Sequence, residues 1–485
     1  TLILDALAGT VAENGSRPAI IEGGGRTVSF EELDARARAL AAGYQARGIG
    51  HGDRVLMAMP VGIDLYASLA ALWRLGATVV FPEPSMGLKG LRHAARVARP
   101  KAFLSAGWHR LLGYLVPELL RLERRLVPVT ADTGTSPGLS AAPDDVALIS
   151  FTSGSTGAPK AIARSHAFMM AQHEAIAPLL QPGPEGERDL VAFPVFVLVC
   201  LALGITTVLP AWKMTRHDAV SSGEICSQVE RFGVTRLLVP PSICETLSQA
   251  SALPPLKAIF TGGGPVFPDT LERLAALQPG SRLTAVYGST EAEPIAHLDH
   301  ATITPADLER MKGGGGLLAG APVAAVDVMI VDGEILVAGD HVNEGYLDST
   351  RNAETKIERD GRIWHRTGDA GRFDEQGRLW LLGRTNARIG GIDPFAVETA
   401  ARFWPGTQRT ALADVDGHPV LAVQGDDGHL EEWCRAAAGL GVTDVRPVPA
   451  IPLDRRHRSK TDYAAVSYTH LRAHETVVRI SYAVF

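Results

Sequence analysis

Short apolar runs rich in β-branched residues recur from the N-terminal region to Gly288: RVLMAMP, ATVVFP, VALISFT, RLLVPP, LKAIFTGG and RLTAVYG. Amphipathic stretches such as FEELDARARALAAGYQARG separate them, and Ser29 followed by Glu32 reads as a capping box opening that helix. Alternation of this kind predicts an α/β protein with mainly parallel sheets. After the glycines at 313–316, shorter runs with turn signals at VDGE, RDGR and DEQGR predict a smaller β subdomain closing the large one.

One segment departs from this rhythm. Leu190 to Trp212 carries no charge and is long enough to span a bilayer. Pro194, Gly204 and Pro210 interrupt it, while Asp189 and Lys213 bound it, so the expectation is a buried strand, turn and helix. A membrane-embedded protein would need this segment to face lipid.

A chain of 485 residues can bury a large core and is expected to form at least two domains. The hydrophobic fraction of 46% and charged fraction of 21% are those of a soluble globular protein. A net charge of −6 and the lack of a basic stripe with interleaved aromatics argue against a nucleic-acid partner. Cys200, Cys226, Cys244 and Cys434 form no CxxC pair, which argues against a disulfide framework or zinc knuckle and fits a reducing cytoplasm. No secretory pattern stands at the start, and the opening on Thr1 leaves room for a missing upstream piece. His297 and His300 have a spacing seen in metal sites but read as a loop pair. No GxSxG elbow offers a hydrolase nucleophile.

The run FTSGSTGAPK, Phe151 to Lys160, carries the strongest chemical signal. Its glycines let backbone approach an anion, its hydroxyls and N–H groups can meet phosphate oxygens, and Lys160 supplies a point charge. The spacing is not that of P-loop NTPases. Further on come FTGGGPV (260–266), AVYGSTEAEP (285–294), TGD with Asp369, LGR with Arg384, and IPLDRRHRSKTDYAAV with Lys460.

In order and content these motifs resemble those of the adenylate-forming superfamily of acyl-CoA synthetases, luciferases and adenylation domains. The resemblance covers about Ala8 to Val466. It implies ATP and Mg2+ as cofactors, with Thr152, Ser153, Gly154, Ser155, Thr156, Gly157 and Lys160 around the phosphates. It implies Gly262, Gly263 and Gly264 against adenine, Tyr287 stacked on the base beside Gly288, and Thr290 at the phosphates. Glu291 is expected to hold the metal, Asp369 to accept from both ribose hydroxyls, and Arg384 to lie near ribose and phosphate. Lys460 is expected to neutralise charge as the adenylate forms, against a plainer reading as one more cation in a basic run. The implied organisation is an AMP-binding domain over 1–385, a hinge at or near Asn386, and a small α+β domain over 386–466. Residues 467–485 match nothing in the family, resemble a translated sequencing-adapter run, and are read as non-native.

The segment after Phe193 and Pro194 falls where the family walls its acyl pocket, and its lack of charge implies an apolar, long acyl partner. Acyl-CoA synthetases usually carry a histidine there; Val197 and Leu198 stand in its place. The loop after GRTNARI is also short and lacks the usual lysine. These departures, with YGSTEAEPI and DRRHRSKTDYAA, look most like the β-lactone synthetases of bacterial olefin biosynthesis. In those enzymes an adenylated β-hydroxy fatty acid closes on its own hydroxyl, an intramolecular step that needs no thiol. Association with other enzymes of a lipid pathway is a further implication. A conventional fatty acyl-CoA ligase and an inactive nucleotide-binding homologue are the alternatives.

Overall fold

The computed structural model describes residues 2–82, 86–130, 138–152, 159–214, 217–454 and 459–467. Every apolar run named above becomes a strand. Arg54–Ala58, Thr78–Val80, Ala102–Ser105, Arg124–Leu126 and Val146–Thr152 form a parallel sheet, closed at one edge by the antiparallel Lys160–Ser165. A second sheet runs parallel through Pro18–Ile21, Thr206–Val208, Arg188–Val191, Arg236–Val239, Ala258–Gly262 and Arg282–Ser289. Helices Phe30–Ala46 and Ile63–Arg74 pack on one another, with Trp73 and Tyr44 fully buried. Both aromatics satisfy their polar atoms: Trp73 Nε1 donates to the Ala147 carbonyl at 2.8 Å, and Tyr44 bonds Ser68 at 2.9 Å. The capping box is formed, Ser29 Oγ accepting from Glu32 N at 3.2 Å and Glu32 Oε2 from Ser29 N at 2.8 Å.

The uncharged segment folds as strand Arg188–Val191, helix Pro194–Ala202 and strand Thr206–Val208. Asp189, fully buried, accepts both guanidinium nitrogens of Arg236 at 2.8 and 2.7 Å, which ties the segment into the sheet. The helix has nine residues, and among the described residues no helix is long and apolar enough to cross a membrane.

The expected β subdomain is present. Its strands do not form a separate sheet but extend the second one, because Leu317–Pro322 pairs with Ala292–Asp299 on one side and Leu379–Arg384 on the other. The turn signals act as predicted: Asp332-Gly333 and Asp360-Gly361 both lie at positive φ, which closes two-residue hairpins whose twist matches the strands. His297 is also not in a loop; it sits on strand Ala292–Asp299, and burial holds its imidazole below its usual pKa.

Beyond the turn Thr385–Ala387, strands Thr407–Val415, His418–Gly425 and Asp444–Pro447 form a three-stranded sheet carrying helices Pro394–Ala401 and Leu430–Gly439. Arg402 anchors this unit to the larger one. It donates to Asp269 at 2.9 Å and Glu245 at 3.2 Å while its guanidinium lies 4.9 Å from the Phe267 ring centre.

Candidate active site

The predicted residues converge where the second sheet meets its antiparallel extension. Asp369 and Arg384 are register partners on neighbouring strands, and Arg384 Nη1 donates to Asp369 Oδ1 at 2.8 Å and to the Thr367 carbonyl at 2.9 Å. The Tyr287 hydroxyl donates to Asp369 Oδ2 at 2.7 Å. Burial, then the neighbouring Asp369 charge, pushes the phenol well above its ordinary pKa, so it remains a donor.

The glycines of the 260–266 run are required by close approach. A Cβ on Gly262 would fall 2.6 Å from the Val286 carbonyl oxygen, and one on Gly264 would fall 2.7 Å from Ser459 Cβ. The second contact brings the C-terminal unit into the site. Ser459 Oγ also accepts from Ser242 N at 3.3 Å, and Lys460 follows directly. The lysine turn is held by Asp454, whose Oδ1 accepts from the backbone of Ser459 at 2.9 Å and Lys460 at 2.8 Å. Behind it, Tyr463 donates to both oxygens of buried Glu398 at 2.9 Å.

At the opposite end, Thr152 and Lys160 are register partners bracketing the phosphate loop; Ser153, Gly154, Ser155, Thr156 and Gly157 lie outside the described residues. Lys160 pairs with Glu354 at 3.2 Å and lies 5.0 Å from the centre of the Tyr346 ring. Tyr346 donates to Glu291 Oε1 at 3.2 Å, and Lys356 lies 5.4 Å from the same ring centre. Burial lowers the Lys356 ammonium to about 8, partly offset by Glu291 and Glu344. It also meets His365 at 3.1 Å, whose imidazole burial and this lysine lower to about 3. The Thr290 carbonyl accepts from Arg164 at 2.5 Å, fixing the backbone between Tyr287 and Glu291.

Tyr346 and Lys356 were not singled out as site residues, although GYL and ETKI lie in a stretch that resembles the family pattern; the sheet brings them beside Glu291. A narrow cavity of about 40 Å3 opens from Gly262 and Val286 into apolar side chains that include Ile176, Leu179, Phe193 and Phe196. Among the described residues, Glu293 is the one carboxylate on its lining. Of the uncharged segment expected to wall the acyl pocket, Phe193 and Phe196 line this cavity, while Val197 to Leu201 are buried. The histidine position, Val197, is fully buried. The shortened loop after Arg388 is a tight Gly390-Gly391 turn, with Ile389 and Ile392 exchanging hydrogen bonds of 3.1 and 2.9 Å.

The AMP-binding enzyme family model matches residues 7–347, and the chain belongs to that family: it is an ATP-dependent adenylate-forming ligase. It is 31% identical over 500 aligned positions to the olefin β-lactone synthetase of Stenotrophomonas maltophilia, with 90% of this chain and 89% of that one aligned. It is 28% identical to a feruloyl-CoA synthase of Amycolatopsis, with 81% of each chain aligned. Among solved structures, ATP-bound MatB from Rhodopseudomonas palustris superposes with a TM-score of 0.80 at 20% identity over 97% of this chain and 99% of that one, a likeness of fold.

Proposed function

We propose that this enzyme activates a long-chain β-hydroxy fatty carboxylate as its acyl-AMP and then closes it to a β-lactone. In the first step a carboxylate oxygen bonds the α-phosphorus and pyrophosphate leaves. In the second, the β-hydroxyl oxygen bonds the acyl carbon, its proton is lost, and the acyl–phosphate oxygen bond breaks to release AMP.

The observation that carries this reading is the similarity to the olefin β-lactone synthetase, 31% identical over 90% of this chain. The cavity leads from the glycine loop into hydrocarbon side chains, with Glu293 on its wall, and the Gly-Gly turn in place of a longer lysine-bearing loop points the same way. A long chain must displace Phe193 and Phe196, because the slot as it stands is narrow.

In this reading Asp369, Arg384 and Tyr287 hold the nucleoside. Thr152 to Lys160 and Thr290 hold the phosphates, and Lys460, which follows Ser459, offsets charge at the α-phosphate. Glu291, a hard carboxylate, is the residue that would hold Mg2+, and the ion would supply charge neutralisation at the phosphates. Residues 1–385 would form the AMP-binding domain and 386–466 the mobile one. The tail 467–485, read as non-native, lies outside the described residues apart from Ser467.

Pyrophosphate release with plain and β-hydroxylated fatty acids of graded length, with and without CoA, tests the reading. Preference for acetate or an amino acid over long chains would refute the acyl assignment, and CoA-dependent AMP release would favour the acyl-CoA ligase alternative.

A further inference from the structure

Among the described residues, large apolar side chains standing in solvent cluster in one place. Five of them fall within thirteen positions: Trp108, Leu111, Tyr114, Leu115 and Leu120, between 49% and 72% exposed. The segment is folded and anchored. Its short turns Gly107–Leu111, Leu112–Leu115 and Pro117–Leu120 send Val116 and Leu119 inward against Phe103, and Arg125 binds the carbonyls of Gly113 and Leu120 at 3.0 Å each. The outward apolar side chains are therefore surplus to the core, and a patch of this kind marks a contact surface.

The charge around the patch is opposite in sign to that of the whole chain. Arg110, Arg121, Arg124 and Arg125 are exposed among or beside the apolar side chains. Arg92 and Arg96, also exposed, reach the segment through Glu118 at 2.9 and 3.1 Å. Glu118 and Glu123 are the carboxylates of the segment, in a protein whose net charge is −6. Leucines with a Trp and a Tyr, ringed by arginines whose stems can lie along hydrocarbon, match the composition of surfaces that rest in the headgroup region of a bilayer. The apolar side chains project from three short turns.

We infer that this face, Trp108 to Arg125, docks the enzyme on an anionic lipid surface. The inference is independent of the chemistry after adenylation. The same surface would hold the enzyme where apolar carboxylates partition.

The test is co-sedimentation of the full chain with vesicles of phosphatidylcholine alone and of phosphatidylcholine with phosphatidylglycerol, at ionic strengths of about 0.05 M and about 0.5 M. Binding to the anionic vesicles at low salt is expected, at least about tenfold stronger than to neutral ones and weakened by salt. Leu111→Ser with Leu115→Ser, and separately Arg110→Glu with Arg121→Glu, are each expected to cut binding about tenfold or more while pyrophosphate release with a short soluble acid is retained. The charge variants change only exposed side chains, so they serve if the leucine variant fails to fold. Wild-type protein that stays in the supernatant with anionic vesicles, or binding that survives both double variants, overturns the inference. A lipid-free dimer in sedimentation velocity that the leucine variant splits, with no vesicle binding, assigns the face to a second copy of the chain and overturns it equally.

Discussion

The Tyr287 hydroxyl donates to Asp369 Oδ2 at 2.7 Å, joining a strand of the parallel sheet to a strand of its antiparallel extension across 82 residues of sequence. Arg384 grips the other carboxylate oxygen at 2.8 Å, so Asp369 is fixed in orientation before any nucleotide arrives. Asp369→Ala is expected to weaken ATP binding at least tenfold by calorimetry, since hydrogen bonds to a charged acceptor are worth about 1.5–3 kcal/mol each. Tyr287→Phe keeps the ring and loses one bond, with a loss of about 0.5–1.5 kcal/mol expected. Unchanged ATP affinity in Asp369→Ala would remove Asp369 from the site.

Gly264 and Ser459 make the contact that seats the lysine turn, and they allow a rescue experiment. Gly264 does not lie at positive φ, so Gly264→Ala is free of backbone strain, yet its Cβ would fall 2.7 Å from Ser459 Cβ. Pyrophosphate release is expected to drop in Gly264→Ala and to recover in part when Ser459→Gly removes the opposing atom, a coupling that contacting residues show. Lys460→Ala is expected to leave the melting temperature nearly unchanged, the side chain being exposed, while pyrophosphate release falls about a hundredfold. Absence of rescue would mean the turn does not act through this contact.

Lys356 gives the site a pH dependence. Burial brings its ammonium down to about 8, so it loses charge within the working range and is then a poorer partner for a triphosphate. The KM for ATP is expected to rise between pH 7 and pH 9 in the wild type. Lys356→Met is expected to have a higher KM at pH 7 and a flatter profile. Parallel profiles for the two would show that Lys356 does not meet the nucleotide.

Glu398 makes an opposite, structural prediction. Burial raises its carboxyl from 4.5 to about 8, so the folded chain binds a proton that the unfolded chain releases above about 4.5. The stability this supplies is complete below the unfolded pKa and is lost as pH climbs through about 8. Glu398→Gln mimics the protonated form and can still accept from Tyr463 and Leu412. Its melting temperature is expected to exceed the wild type's at pH 8.5 and to match it at pH 5. Equal melting temperatures at both values would contradict a neutral Glu398.

Much of this was legible in the chain. Strand runs such as VALISFT and RLLVPP announced themselves because strands covered by helices need continuous apolar sequence. Tyr287, Asp369 and Arg384 stood in motifs whose order alone identified the chemistry. Tyr346, Lys356 and Glu293 lie in or beside such stretches but were not singled out, because their place in the site comes from cross-strand proximity that no local spacing encodes. Which residues of the uncharged segment line the cavity was hidden for the same reason: Val197 and Phe196 are both apolar, and helix phase decides which faces it. The β subdomain's fusion to the main sheet was hidden because Leu317–Pro322 pairs on both edges, a property of topology and not of composition.

The most direct test of the central claim is the mass of the product. With ATP, Mg2+ and a long-chain β-hydroxy fatty acid, in the absence of CoA, the enzyme is predicted to release AMP and a species lighter than the acid by one water, with a plain fatty acid of equal length giving no such species. AMP release that waits for CoA, with an acyl-CoA as the product, would contradict the account.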